Sequence, residues 1–182
     1  MNDRIDAQLL ESFFDQGGVT LAELSRRAPV LLVFLRHSGC TFCREALSDL
    51  RRDRAQIEAR GATIAVVHML PDARAKAFVA DYDLGDIPRF SDPDKRLYNA
   101  FGLRRGTFGQ LLGLKSWARG IKAGLVDGHG VGMIGGDPLQ MPGAFLLHDG
   151  AIVAAFRHES AADRPDYTAL ASCEIIPAGG RS

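Results

Sequence analysis

Cys40 and Cys43 stand three positions apart in the segment Gly39-Cys40-Thr41-Phe42-Cys43-Arg44-Glu45. An apolar run, Val30 to Leu35, precedes them and a long amphipathic stretch follows. The spacing predicts that both sulfurs lie within the first turn of a helix, close enough to close a disulfide. A helix start offers unpaired N–H groups and a partial positive charge. Both favour thiolate over thiol, and the thiolate is the nucleophile in sulfur chemistry. Arg36, His37 and Arg44 flank the pair and add positive charge that lowers a thiol pKa. The chemistry that this pattern suits is thiol–disulfide redox cycling.

The elements around the pair must hold it rigidly. Ala7 to Phe14 and Leu21 to Arg27 read as short helices, the first stopped by Gly17-Gly18 and the second capped by Thr20. Val30 to Leu35 is continuously apolar, as a strand covered on both faces must be. A helix from Thr41 to Arg60 follows, carrying Leu47, Leu50 and Ile57 on one face and ended by Gly61. Thr63 to His68 is a second buried strand, and Asp72 to Tyr82 a second amphipathic helix. This βαβα order predicts parallel strands.

The remainder is less regular. Residues 87–93 read as an extended segment with turn residues, before a helix from Lys95 to Phe101. Residues 103–136 are rich in glycine and read as an insertion, helical between Phe108 and Ala123. Ala144 to His148 and Ala151 to Arg157 form a hairpin across Asp149-Gly150, and a last helix covers Arg164 to Ser172. The chain thus reads as a single domain, 1–182. Within it, Gly128 to Gly136 contains Gly-x-Gly-x-x-Gly, but no strand pattern precedes it and Asp137-Pro138 breaks the helix that a dinucleotide site requires.

The strand, the Cys-x-x-Cys at a helix start, and Met141-Pro142-Gly143-Ala144-Phe145-Leu146-Leu147 before an Asp-Gly hairpin resemble the thioredoxin superfamily. The segments Arg89-Phe90-Ser91-Asp92-Pro93-Asp94-Lys95-Arg96-Leu97-Tyr98-Asn99-Ala100-Phe101-Gly102 and Leu35 to Glu45 are similar to peroxiredoxins of the AhpC/TSA group, in a branch carrying Cys-x-x-Cys. The resemblance spans about residues 20–172. It implies an α/β, thioredoxin-like fold with a central mixed sheet flanked by helices and an insertion before a cis-proline strand. Pro142 matches the cis-proline position. With Met141, Gly39 and Thr41 it is expected to contact substrate, while Cys40, Cys43, His37 and Arg36 carry the chemistry.

Two alignments assign the cysteines differently. On thioredoxin, Cys40 attacks a disulfide or sulfenate and Cys43 resolves the mixed disulfide. Phe34 then occupies the position of thioredoxin's buried carboxylate, and His37 is the substitute for proton transfer. On peroxiredoxins, Cys43 takes the peroxidatic position. Arg36 then replaces the proline and Cys40 the threonine of their peroxide-holding loop, and Gly143 or Ala144 falls near the expected arginine. These departures point away from fast peroxidase activity. Arg157 and His158 could complete an anion site near the thiols, or form a solvated strand end.

Composition limits the alternatives. Lys+Arg and Asp+Glu both total 22, so no global field recruits nucleic acid or a membrane surface. No apolar run reaches spanning length, and the first residues, Met1-Asn2-Asp3-Arg4-Ile5-Asp6, show no secretion signal, so a cytoplasmic setting is expected. Three cysteines make no secreted disulfide framework. A zinc half-site is the rival reading of the pair. Its other half would have to come from Cys173, His37, His68, His129, His148 and His158, none in paired spacing. No cofactor and no metal are expected. The expected partners are a disulfide or peroxide substrate and a thioredoxin- or glutathione-type thiol reductant, and the resemblance implies a homodimer. The alternative is a redox-sensing or partner-binding module without turnover.

Overall fold

The computed structural model describes residues 4–38, 40–106, 137, 139–159 and 163–172; Gly39 and the Thr41 side chain fall outside the description. The glycine-rich motif, the helix expected between Phe108 and Ala123, His129 and Cys173 also lie outside the described residues.

Five strands form one mixed sheet of order β3-β2-β1-β4-β5: β1 Val30–Phe34, β2 Thr63–His68, β3 Arg89–Ser91, β4 Gly143–His148 and β5 Ala151–Arg157. β1 runs parallel to β2, and β2 to β3, while β4 is antiparallel to both β1 and β5. Every residue of β1 is buried, because the strand is central and both faces are covered. The β4–β5 turn places Asp149 at φ 45° and Gly150 at φ 73°. Two positive φ angles at the corner match strand twist, which is why Asp-Gly serves there.

Helices α1 Ala7–Glu11, α2 Leu21–Arg27 and α5 Arg96–Ala100 cover one face of the sheet, burying Leu10, Leu21, Leu97 and Tyr98 against Leu32, Phe34 and Phe145. On the other face lie α3 Thr41–Ala59, α4 Asp72–Ala80 and α6 Tyr167–Ala171. There Leu47, Leu50 and Ile57 of α3 pack on Leu31, Val33, Ile64 and Val66. The side chains of Asp6, Thr20 and Asp166 accept hydrogen bonds at the starts of α1, α2 and α6.

One expectation is corrected. No peptide bond among the described residues is cis, so Met141–Pro142 is trans. A trans X–Pro bond is the lower-energy isomer by about 0.5–1 kcal/mol, and the entry to β4 is held by other means. The Met141 amide donates to the Arg104 carbonyl at 3.2 Å, and the Pro142 carbonyl accepts from the His158 amide at 3.4 Å. At the two ends of the expected insertion the described residues are held to the fold. Leu103 belongs to the core, Arg105 bridges to Gln140, and Asp137 pairs with both Lys95 and Arg105.

Candidate active site

The thiol pair sits where β1 ends and α3 begins. Tyr98 of α5 reaches across the sheet end, donating its hydroxyl to the Leu35 carbonyl and lying 3.2 Å from the Val67 carbonyl. Asp92 in turn fixes α5, accepting from the amides of Arg96 and Leu97 at 2.8 Å and of Tyr98 at 3.2 Å. The motif around residues 91–98 therefore braces the loop that carries the cysteines.

Cys40 is the N-cap of α3, without a side-chain capping bond, and its amide donates to the His37 carbonyl at 3.1 Å. Cys43 lies one turn in. The two cysteines are not joined by a disulfide, and only 1% and 3% of their surface is exposed. The Arg36 amide donates to the Cys43 sulfur at 3.2 Å, and its guanidinium Nη1 lies 3.9 Å from the Cys40 sulfur. A guanidinium buried this deeply favours an anion beside it. A thiolate at Cys40 supplies one.

The two sulfurs behave as a single titrating unit. The Cys43 thiol donates to Cys40, and this hydrogen bond, then the Arg36 charge, holds the Cys40 pKa below the ordinary thiol value against the cost of burial. For the same reason Cys43 is pushed well up: it gives the hydrogen bond, it is buried, and it would ionise beside an existing anion. One proton is thus shared by two sulfurs near neutral pH. His37 is buried beside them, and desolvation followed by Arg36 lowers its imidazole to about 4. It is neutral at physiological pH.

A small cavity of about 20 Å³, enough for one water-sized molecule, adjoins Cys43. Phe42, Pro142, Gly143, His158 and Tyr167 are among its walls. Pro142 thus lines the cavity beside Cys43, whereas Met141 is buried against Arg104 and Gly106. Gly143 has no room for a side chain, since a Cβ would fall 2.7 Å from Leu103 Cδ2 and 2.9 Å from Phe145 Cε2. The two residues at the end of β5 divide in function. His158 lines the cavity, while Arg157 turns away, donating to the Phe101 carbonyl at 3.0 Å and lying over the Phe145 ring. Phe34 fills its position with an aromatic cluster, its ring 5.0 Å from Tyr98 and 5.5 Å from Phe145. Sequence reasoning passed over Tyr167, which stands far from the cysteines along the chain and carries no local signal. Among the described residues no group of three or more His, Cys, Asp or Glu is placed to hold a metal, and no helix is long and apolar enough to cross a membrane.

A mixed five-stranded sheet with helices on both faces and two thiols at the N-terminus of α3 defines a thioredoxin-like protein. The chain belongs to the AhpC/TSA family, whose profile matches residues 6–155. It is accordingly a peroxiredoxin-like antioxidant oxidoreductase. Solved structures with the same fold include the bacterioferritin comigratory protein of Xanthomonas campestris, studied for alkyl peroxide reduction (19% identity, TM-score 0.59, 84% of each chain covered). Reduced Prx3 of Vibrio vulnificus, in complex with H2O2, matches at 18% identity and TM-score 0.65, covering 96% of this chain and 99% of its own. Peroxidoxin BcpB of Mycobacterium tuberculosis matches at 17% identity and TM-score 0.58, with 94% and 97% covered. No curated protein sequence matches the chain.

Proposed function

We propose that this protein reduces a small hydroperoxide with Cys43 as the oxygen acceptor and Cys40 as its proton partner and resolving thiol. The observation that carries the reading is the shared proton beside a cavity: Cys43, hydrogen-bonded to Cys40, borders a space the size of one small molecule. The proton of Cys43 passes to the Cys40 thiolate, and the amides of Arg36 and His37 support the charge left on Cys43. The Cys43 sulfur attacks the terminal peroxide oxygen. An S–O bond forms, the O–O bond breaks, and the leaving alkoxide or hydroxide takes the proton from Cys40. Cys40 thiolate then attacks the Cys43 sulfenic acid, forming the Cys40–Cys43 disulfide and releasing hydroxide, which solvent protonates.

Two thiols are oxidised and one peroxide is reduced to an alcohol or water and a second water. Turnover then needs a thioredoxin- or glutathione-type thiol reductant, which a cytoplasmic setting supplies. Arg36 holds the charge on Cys40. Pro142 contributes a wall, and Gly39 and Thr41 flank Cys40 in sequence. A homodimer rests on family membership alone.

A second reading keeps Cys40 as the attacking sulfur, as in thioredoxin. The lowered Cys40 pKa and the nearby guanidinium favour it. The near-complete burial of Cys40 weighs against it, because a protein disulfide must approach the sulfur in line. The deciding experiment is peroxide consumption by reduced wild type, Cys40→Ser and Cys43→Ser, with intact-mass analysis. Accumulation of a sulfenic acid in Cys40→Ser, with Cys43→Ser inactive, is expected. Sluggish peroxide reaction with retained disulfide exchange through Cys40 would replace the first reading by the second. A single oxidation without reductant-driven cycling would make the protein a sensor.

A further inference from the structure

The cavity at Cys43 is not isolated. A second cavity, also about 20 Å³, lies behind it and shares four walls with it: Phe42, Ala46, His158 and Tyr167. Its other walls include Asp49, Arg164 and Pro165, which also line an open polar groove of about 410 Å³ between α3 and the segment leading into α6. Groove, middle cavity and thiol cavity therefore adjoin one another through shared walls, with Cys43 lining the last.

The order of side chains along this line has a physical sense. At the outer end Asp49, almost fully buried, accepts a two-pronged hydrogen bond from Arg164 at 2.7 Å and another from Arg52 at 2.8 Å. This ion pair ties the start of the α6 segment to α3 and fixes a polar rim. At the inner end the walls are aromatic. Tyr167 is the first residue of α6, is 3% exposed, and stands in both inner cavities, as does Phe42 of α3.

We propose that this line is the entry channel to Cys43 and that Tyr167, with Phe42, forms a neck admitting hydrogen peroxide while excluding bulky organic hydroperoxides. Hydrogen peroxide is only one oxygen larger than the water that each inner cavity accommodates. An aryl hydroperoxide exceeds either chamber several-fold and enters only if an aromatic wall is removed. The inference rests on the peroxide reading above for the substrate's identity, while the channel itself is testable without it.

The test compares a small and a bulky thiol reagent, iodoacetamide and fluorescein maleimide, on reduced full-length protein. Labelling at Cys43 is read by peptide mass mapping, and each rate is normalised to free cysteine. Wild type should label with iodoacetamide about tenfold or more faster than with the bulky reagent, the scale on which a packed apolar site discriminates by size. Tyr167→Ala should erase most of that preference, and Tyr167→Leu, which keeps the site filled if Ala fails to fold, part of it. An unchanged ratio in a folded variant overturns the channel. Rates with hydrogen peroxide and cumene hydroperoxide complete the test: wild type should favour the former, and Tyr167→Leu should narrow the gap. If no peroxide reacts at all, the peroxidase reading fails, and the labelling ratios still decide the channel.

Discussion

The guanidinium of Arg36 lies 3.9 Å from the sulfur of Cys40, and both side chains are almost wholly out of solvent. At such burial an ion is stabilised by its partner far more than at the surface, and the pair is as much a functional device as a structural one.

Removing the cation should therefore be read in the pH dependence of the thiol. The Cys43 hydrogen bond and Arg36 together bring Cys40 down to about 6. Because the anion is the form stabilised, reactivity should rise with pH through that midpoint and level off above it. In Arg36→Met the Cys43 hydrogen bond remains but the charge is gone, so the midpoint moves up toward the ordinary thiol value of about 8.5. Alkylation at pH 7 then slows by about tenfold for each unit the midpoint passes above 7. Thiolate ultraviolet absorbance against pH checks it. An unshifted midpoint would leave Arg36 a packing residue.

His37 should contribute no limb to that profile. Burial and the neighbouring Arg36 hold its imidazole at about 4, so it is uncharged throughout the range in which the thiol titrates. The rate profile from pH 5 to 9 should accordingly show the thiol limb in both wild type and His37→Gln. A limb near the ordinary histidine value of about 6.5 that vanishes in His37→Gln would restore it as a proton carrier.

Tyr98 offers a test of how the sheet end supports the site. Its hydroxyl serves the carbonyls of Leu35 and Val67 from the far face of the sheet, and burial keeps the phenol protonated by pushing its pKa well up. Tyr98→Phe removes this donor while keeping the ring edge-on against Phe34. The loss should cost about 1–2 kcal/mol in urea unfolding, and the loop before Cys40 should gain amide hydrogen exchange. Exchange confined to α5 would show that the brace does not reach the thiols.

How much of this was visible in the chain depends on the range of the interactions involved. The bounds of α2, β2 and β5 follow from local capping and patterning, and the Asp-Gly hairpin from its two residues. α6 is shorter than expected, beginning at Tyr167 instead of Arg164, because Asp166 supplies the cap and Arg164 is engaged by Asp49. The cysteines and Arg36 announced themselves because their chemistry is local: one loop, one helix start. Tyr167 did not, and His158 stood only as one of two readings of a strand end, since the packing of α6 and the end of β5 against α3 is what brings them to Cys43. The trans Pro142 could not be read from sequence either. Alignment transfers a residue's position, whereas the isomer depends on what holds the turn around it.

Gly143 shows the same dependence on tertiary packing, and its substitution is the sharpest structural test of the site's walls. It opens β4 opposite Phe34 and beside the thiol cavity, near the position at which the peroxiredoxin resemblance would put an arginine that this chain lacks. A Cβ would approach Leu103 and Phe145 to under 3.0 Å and the Phe156 carbonyl to 3.2 Å. The two side chains are themselves locked in the core and the carbonyl belongs to the neighbouring strand, so none can yield freely. Gly143→Ala should destabilise the fold by about 1–3 kcal/mol, the usual cost of overpacking. It should also displace the cavity wall, changing the rate of peroxide reaction at Cys43 even where the protein remains folded. Denaturant unfolding read alongside single-turnover oxidation separates the two effects. A variant as stable and as fast as wild type would mean that β4 shifts easily and that the cavity is not held by this strand.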